Sequence, residues 1–375
     1  MRILLLSTYL PDRIQSIEKF TQVLENGLKK FGHEVRTIRP KPIMAKIKPT
    51  STGIGKWLGY IDKFIFFPKI LQKSLSWADI VHICDHSSAP YIQYLHNFPH
   101  VVTCNDMLAI RSALGEIKEN PTRWTGKQLQ RMILNGLNKS QRVVCISEQT
   151  KSDLMRISCL NPDRVSRIYM GLNYPYAPMR ESIREKKLKE LNLDLDTQFL
   201  LHVGSNVWYK NRFGVISIFK NLIRYDNAKK LFLVMVGRSL TTEIKEFMIT
   251  HNLNYKVREL IDIENESLRA LYSSATALLF PSLQEGFGWP LIEAQACGCP
   301  VFTSERPPMT EICGTTGIYL DPENHKKAAE IISKSLSILD RLKSKSLENA
   351  NKFTEEAMIT AYIQIYQEVL SQKQK

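Results

Sequence analysis

The sequence contains neither a GxGxxG nor a GxxxxGK[ST] stretch, so it lacks both the dinucleotide fingerprint and the P-loop. It has no CxxC pair. Its seven cysteines, Cys84, Cys104, Cys145, Cys159, Cys297, Cys299 and Cys313, show no zinc spacing, which argues against a metal module or disulfide framework and predicts reduced thiols in a cytosolic protein. No apolar run approaches the roughly 18 residues of a membrane span. The apolar part of MRILLLSTYLPD is too short for a signal peptide and predicts a buried first strand instead. Helix-turn-helix and zinc-finger signatures are missing as well, so no nucleic-acid partner is expected.

What is present describes a globular chain. With 375 residues, two domains are the default, and 43% hydrophobic with 23% charged residues gives no sign of disorder. The net charge of +14 is uneven. Residues 1–175 hold 25 Lys and Arg against 13 Asp and Glu, whereas the remainder hold 26 against 24. Such asymmetry points to an anionic surface partner for the first half alone.

Short apolar segments alternate with helical patterns along the chain. RILLLST, HEVRTI, ADIVHIC, HVVTCN and QRVVCIS read as strands, each leading into a helix-like segment, and Ser147 reads as a helix N-cap. After the proline-containing stretch RVSRIYMGLNYPYAP the pattern restarts with FLLHVG, KLFLVMVG and ATALLFPS, separated by helices near 212–224, 241–250 and 266–274. The expected fold class is α/β, with two Rossmann-like, doubly wound domains facing a cleft. The expected divisions are 1–175, 176–355 and a closing amphipathic helix over 356–375.

Two motifs carry chemistry. In HVGSNVWYKN, a strand ends at Gly204 and a loop leads through Ser205 to Lys210 and Asn211 at a helix start, which suits a phosphate or diphosphate. In FPSLQEGFGWPLIEAQACGCPV, Glu285 lies in a glycine-punctuated loop, Pro290 opens a short helix, Glu293 falls in its first turn and Gly298 ends it. A carboxylate accepts two hydrogen bonds from a vicinal diol. An anion site and a diol site in one domain together predict a sugar nucleotide.

PSLQEGFGWPLIEAQACGCPV resembles the E-x7-E element of the retaining family 4 glycosyltransferases, which have the GT-B fold. HVGSNVWYKN is similar to their donor-phosphate loop, ISEQTKSDLMRISCLNPDRVSRIYMGLN to the end of their first domain, and KFTEEAMITAYIQIYQEVL to their C-terminal helix, which crosses back to that domain. The resemblance implies transfer of a hexose from a UDP- or GDP-linked donor to a glycan or lipid-linked acceptor, in cell-surface polysaccharide or glycolipid synthesis. It places Glu293 on the ribose and Glu285 beside the transferred sugar. Gly286, Phe287 and Gly288 would line sugar and phosphate, and Lys210 would neutralise the diphosphate without a metal ion or other cofactor. Arg238, after VMVG, is a second candidate cation.

The chain departs from the family at several points. Gln15 and Ser16 stand where two glycines are usual, Ser205 where an arginine is frequent, and Asn105, followed by Asp106, where a histidine is usual. Asparagine keeps a neutral hydrogen bond but carries no proton. A sugar-nucleotide-binding protein of low catalytic power is therefore the alternative. His82 and His86 flank Asp85 and are candidates on the acceptor side; His202 reads as a core histidine. Asp194-Leu195-Asp196 reads as a helix end and turn. Finally, residues 36–73 interleave Lys and Arg with Trp57, Tyr60, Phe64, Phe66 and Phe67, a pattern that fits either packing on the first sheet or peripheral association with an anionic membrane surface.

Overall fold

The computed structural model describes residues 1–12, 14–46, 54–95 and 97–372. It divides into two compact units, Met1–Asn173 with Glu355 onward, and Tyr174–Thr354. Each is a six-stranded, fully parallel sheet covered by helices, the two Rossmann-like domains expected.

Unit 1 contains β1 (Arg2–Leu6), β2 (Glu34–Ile38), β3 (Ile80–Ile83), β4 (His100–Cys104), β5 (Arg142–Cys145) and β6 (Val165–Arg167), ordered β2-β1-β3-β4-β5-β6. The central strands are continuous apolar runs because both faces are covered, whereas the edge strand β2, EVRTI, stays partly exposed. β6 is only three residues long and partly polar, which is why no sequence pattern announced it.

Unit 2 contains β7 (Phe199–Gly204), β8 (Phe232–Gly237), β9 (Val257–Ile261), β10 (Ala277–Phe280), β11 (Val301–Ser304) and β12 (Gly317–Leu320), ordered β12-β11-β10-β7-β8-β9. β7 matches the predicted FLLHVG in full. β9, β11 and β12 were not anticipated. VRELI has the half-polar character of an edge, and VFTS and GIYL are four residues each, too short for a periodicity. Among the described residues no helix is long and apolar enough to cross a membrane.

The last helix, Glu355–Gln372, belongs to unit 1 and lies against the helix Gln15–Lys30. A Cβ at Gly27 would come within 2.5 Å of Ile359 Cγ1, so the absence of a side chain there sets how closely these helices approach. Inside, the returning helix is tied down by a buried polar chain. Tyr366 Oη lies 2.6 Å from His82 Nδ1, His82 Nε2 lies 2.8 Å from Thr103 Oγ1, and Thr103 Oγ1 lies 2.9 Å from Tyr362 Oη. All four side chains are fully buried, which makes His82 a structural residue; the acceptor-side role considered for it is corrected on this ground. The sequence placed His82 near the strand end but could not show that a helix 284 residues later would cover it.

Thr103→Val keeps the shape but leaves His82 with a ring nitrogen unpaired in the core. A loss of about 1–3 kcal/mol is expected in denaturant titration, with the C-terminal helix exchanging amide protons faster than the central strands. Burial also pushes the His82 and His202 imidazoles down to about 3. The unfolded chain takes up protons below about pH 6.5 that the folded chain refuses, so stability should fall as pH drops from there, by up to about 1.4 kcal/mol per pH unit per histidine. Thermal melts from pH 7 to pH 4 measure this slope, and His82→Gln should reduce it.

Candidate functional site

In unit 2 the sheet order turns at β7: the chain proceeds outward to β8 and β9, then returns to place β10 on the other side of β7. Loops that follow two such strands diverge to opposite faces and leave a crevice beyond the carboxyl ends, where ligands settle in open α/β sheets. Lys210 follows β7 and Glu285 follows β10, so the topology alone brings the two sequence motifs together.

The approach is held by backbone and side chain alike. Leu283 N donates to Tyr209 O at 2.7 Å, and Asn211 Nδ2 donates to Pro281 O at 3.0 Å and Pro322 O at 3.1 Å. Lys210 Nζ then meets Glu285 Oε1 at 2.7 Å, with 15% and 7% of the two side chains exposed, and stands 4.8 Å from the centroid of the Phe280 ring. Lys210 lies in a single helical turn, Trp208–Lys210, just ahead of the helix start, as expected. Asn211, at φ 52°, is the N-cap: its Oδ1 accepts from Gly214 N, and the helix runs Arg212–Leu222. Asparagine is among the few residues that tolerate the left-handed region, so the cap sets the helix start just past the lysine.

Glu293 is one residue deeper in its helix than expected. Gly288, at φ 101°, lets the helix begin at Trp289, ahead of Pro290, so Glu293 is its fifth residue and not a first-turn acid. It is 4% exposed, and its Oε2 accepts a 2.9 Å hydrogen bond from Tyr272 Oη. Tyr272 comes from the helix Asn265–Ser274, and no sequence signal marked it. Burial together with the negative charge of Glu293 pushes the Tyr272 phenol well up, so it remains a donor to the carboxylate. Phe287 is buried edge-on against Phe353, which fixes the middle of the EGFG loop.

Gly204 and Gly237 end neighbouring strands in register. A Cβ at Gly237, where φ is 140°, would lie 2.1 Å from Gly204 O, so only glycine allows these two loops to leave the sheet side by side. Ser205 and Arg238 are exposed just beyond. Arg212, which sequence reasoning passed over, staples the loops: its Nη1 donates to Arg238 O at 2.6 Å and to Asn206 Oδ1. His202 is buried below Gly204 and engages Leu279 O through Nδ1 at 3.0 Å, a core histidine as read. Asp194-Leu195-Asp196 forms a turn in which Thr197 N donates to Asp194 O, after the helix Glu181–Glu190.

In unit 1 the corresponding turn of sheet order lies at β1 and β3. Asp85, directly after β3, is buried and accepts from Ser87 N at 3.3 Å, from Ser87 Oγ, and from Asn105 Nδ2 at 3.0 Å. Asn105 Nδ2 also donates to Cys84 O at 3.2 Å. His86 Nδ1 lies 3.2 Å from Asp85 Oδ1, an ion-pair contact without hydrogen-bond alignment. Burial opposes charge on this imidazole, but Asp85, with Asp106 further off, outweighs it and raises the group to about 9. Asp106 Oδ1 accepts from Leu108 N at 2.9 Å at the start of the helix Leu108–Leu114. The structure thus brings His86 and Asn105 together on Asp85, with the charge of Asp106 acting on His86; the sequence reading had noted Asp85 only as the residue flanked by His82 and His86. Ser16 is exposed as the second residue of the helix Gln15–Lys30.

The family model described as "Glycosyltransferase Family 4" matches residues 17–174, and that described as "Glycosyl transferases group 1" matches residues 183–356. The O-antigen chain mannosyltransferase RfbU of Salmonella typhimurium is 27% identical over 51% of this chain and 49% of its own length. The O-antigen chain mannosyltransferase B of Escherichia coli is 23% identical over 64% of each. The match therefore spans from about half to less than two thirds of these relatives. Among solved structures, sucrose-phosphate synthase from Thermosynechococcus elongatus superposes with a TM-score of 0.79 at 20% identity over 99% of both chains. Anabaena HepE in complex with UDP and glucose superposes at 0.75 and 14% identity, over 97% of this chain and 99% of that one. At these identities the likeness establishes the two-domain GT-B fold.

Two substitutions separate the ion pair from its surroundings. Lys210→Met leaves the Glu285 carboxylate without its cation in a site that is largely closed to water, and should cost about 3 kcal/mol of unit 2 stability, whereas Lys210→Met with Glu285→Gln should recover most of it. Chemical denaturation of the three proteins reads the difference. In unit 1, the raised His86 contributes stability that is complete below about pH 6.5 and is lost as pH rises to about 9. Asp85→Asn should flatten that alkaline slope in thermal melts.

Proposed function

This chain belongs to family 4 of the glycosyltransferases, and on that premise we propose that it moves a hexose from a nucleotide-diphosphate sugar to a glycan or lipid-linked acceptor with retention of anomeric configuration. The observation that carries the reading is the Lys210–Glu285 contact of 2.7 Å, which joins the anion motif and the diol motif in one place. In the proposed reaction Lys210 exchanges its bond to Glu285 for one to the diphosphate. Its charge then lies where negative charge grows as the sugar–phosphate bond breaks, which lowers the barrier electrostatically and without a metal ion. Glu285, released from the lysine, accepts from hydroxyls of the transferred sugar. Glu293, held by Tyr272, accepts from the two ribose hydroxyls. Backbone groups of Gly204, Ser205, Gly286, Phe287 and Gly288 line the sugar and phosphates, and Asn211 holds the lysine loop in place. Arg238 adds a second cation at the rim.

The acceptor is assigned to unit 1, beside His86, Asn105 and Asp106, with Ser16 at its edge. Its hydroxyl oxygen bonds to the anomeric carbon on the face from which the diphosphate departs, and its proton passes to the departing diphosphate oxygen. The names of the O-antigen relatives favour surface polysaccharide or glycolipid synthesis in the cytoplasm, with mannose among the sugars to try first; the HepE complexes with UDP and UDP-glucose place UDP beside GDP in the donor panel. Asn105 favours a second reading, a binding protein with weak transfer. Its amide already donates to Cys84 O and Asp85 Oδ1 and carries no proton to give.

Thermal shift against UDP, GDP, ADP and their sugar conjugates tests the donor site. A nucleotide at 100 times its dissociation constant should stabilise the protein by roughly 2.7 kcal/mol, and Glu293→Ala should abolish the effect. No shift with any nucleotide would overturn the donor assignment. Where one binds, NMR of the product formed with simple glycoside acceptors reads the anomeric configuration; binding without turnover would favour the second reading.

A further inference from the structure

Residues 36–75 hold nine Lys and Arg against one acid, Asp62. That acid is buried, 1% exposed, and is used up internally. It accepts from Tyr9 Oη at 2.8 Å, from Met44 N at 2.8 Å and from Ala45 N at 3.1 Å. Asp62 thereby knots three segments of unit 1: the turn after β1, the turn Met44–Lys46, and the helix Ile54–Ile61 where it widens into the π-type turn Asp62–Phe66. Lys63, beside it, pairs with Asp12 at 2.6 Å and lies over the Tyr9 ring at 5.0 Å, which adds a second tie between the same segments.

Each of the three segments holds a large apolar side chain out in water. Leu10 is 51% exposed, Ile43 48%, Trp57 62% and Ile65 58%. The continuing helix, Phe67–Leu75, exposes Lys69, Ile70 and Lys73, and Lys41 is exposed two residues before Ile43. Lys41, Lys69 and Lys73 have no ion pair among the described residues. Folding does not need this arrangement. Phe67, Leu71 and Tyr91 already fill the core beneath, and an exposed tryptophan gains nothing from water. Residues 47–53, part of the basic aromatic stretch singled out from the sequence, lie outside the described residues, and nothing here rests on them.

We propose that this face of unit 1 is a docking surface for an anionic lipid bilayer. Trp57, Ile65, Leu10 and Ile43 enter the interfacial layer, and Lys41, Lys69 and Lys73 meet the acidic headgroups. Charge selects this occupant. Free lysines around exposed apolar side chains, with Asp62 buried and Asp12 neutralised by Lys63, complement a negatively charged interface, and tryptophan favours the boundary between headgroup and acyl chain. No described helix is long and apolar enough to cross a membrane, and the attachment proposed is at the surface. The proposal goes beyond the donor reading and does not depend on it.

Flotation of the full chain with vesicles tests it, using phosphatidylcholine alone and phosphatidylcholine with about one third phosphatidylglycerol, at low and high salt. The expected result is binding to the anionic vesicles only, weakened by salt. Replacing Lys41, Lys69 and Lys73 by glutamate should weaken partitioning at least about a hundredfold, since each lysine near the surface contributes roughly a fivefold factor. Trp57→Ser with Ile65→Ser should weaken it at low and high salt alike, and all variants should keep the parent melting temperature and nucleotide response. No flotation at low salt, or flotation indifferent to either set of changes, overturns the proposal. So does a concentration-dependent dimer that Trp57→Ser dissolves, because a second copy would then be the occupant. Loss of the nucleotide response with flotation intact would count against the donor site and leave the lipid surface standing.

Discussion

All strands in both sheets are parallel, and most of the site follows from that one constraint. A parallel strand cannot return by a tight hairpin; each connection crosses over a face through a helix, so the carboxyl ends of all strands in a sheet gather at one edge. When the order then reverses at β7, the loops after β7 and β10 become neighbours although Lys210 and Glu285 are 75 residues apart. The ion pair follows from the topology. Hydrogen bonds donated by Leu283 N to Tyr209 O and by the Asn211 amide to Pro281 O and Pro322 O hold the two loops together.

The two units meet the same constraint with different chemistry. At the strand ends of unit 2 the structure keeps a cation and two carboxylates in reach of one another and spends glycines on close approach, as at Gly237. At those of unit 1 it buries one carboxylate, Asp85, and surrounds it with an amide, two donors from Ser87 and a histidine held protonated. The first arrangement suits the proposed donor, whose diphosphate would take the place of Glu285 on Lys210. The second, with its neutral and positive donors, suits the sugar hydroxyls of the proposed acceptor.

Buried polar groups do separate work from the site. His82, Thr103, Tyr362 and Tyr366 fix the last helix to the first sheet, and Asp62 fixes three segments around a face rich in unpaired lysines. In both places a single polar atom left without a partner would cost more than the bond it makes, so each network has one satisfactory geometry. That is how polar residues in an apolar interior decide where a helix or loop lies.

Local chemistry determined much of this protein. Apolar runs fixed the central strands, and the residues around Gly204, Lys210, Glu285 and Glu293 fixed the loops and short helix that the proposed donor site is built from, because backbone conformation and charge act over a few residues. Strands of three or four residues, and a half-polar edge strand such as β9, escaped because they are too short or too exposed to leave a period. The helix start at Trp289 moved Glu293 one residue deeper and the cap at Asn211 set Lys210 just ahead of its helix, through left-handed backbone at Gly288 and Asn211 that residue type alone permits but does not require. The partners of the key side chains, Tyr272 for Glu293, Asp85 for Asn105 and Tyr366 for His82, were decided only by tertiary structure: each pair joins elements distant in sequence, and burial, which no single segment encodes, gives these contacts their strength.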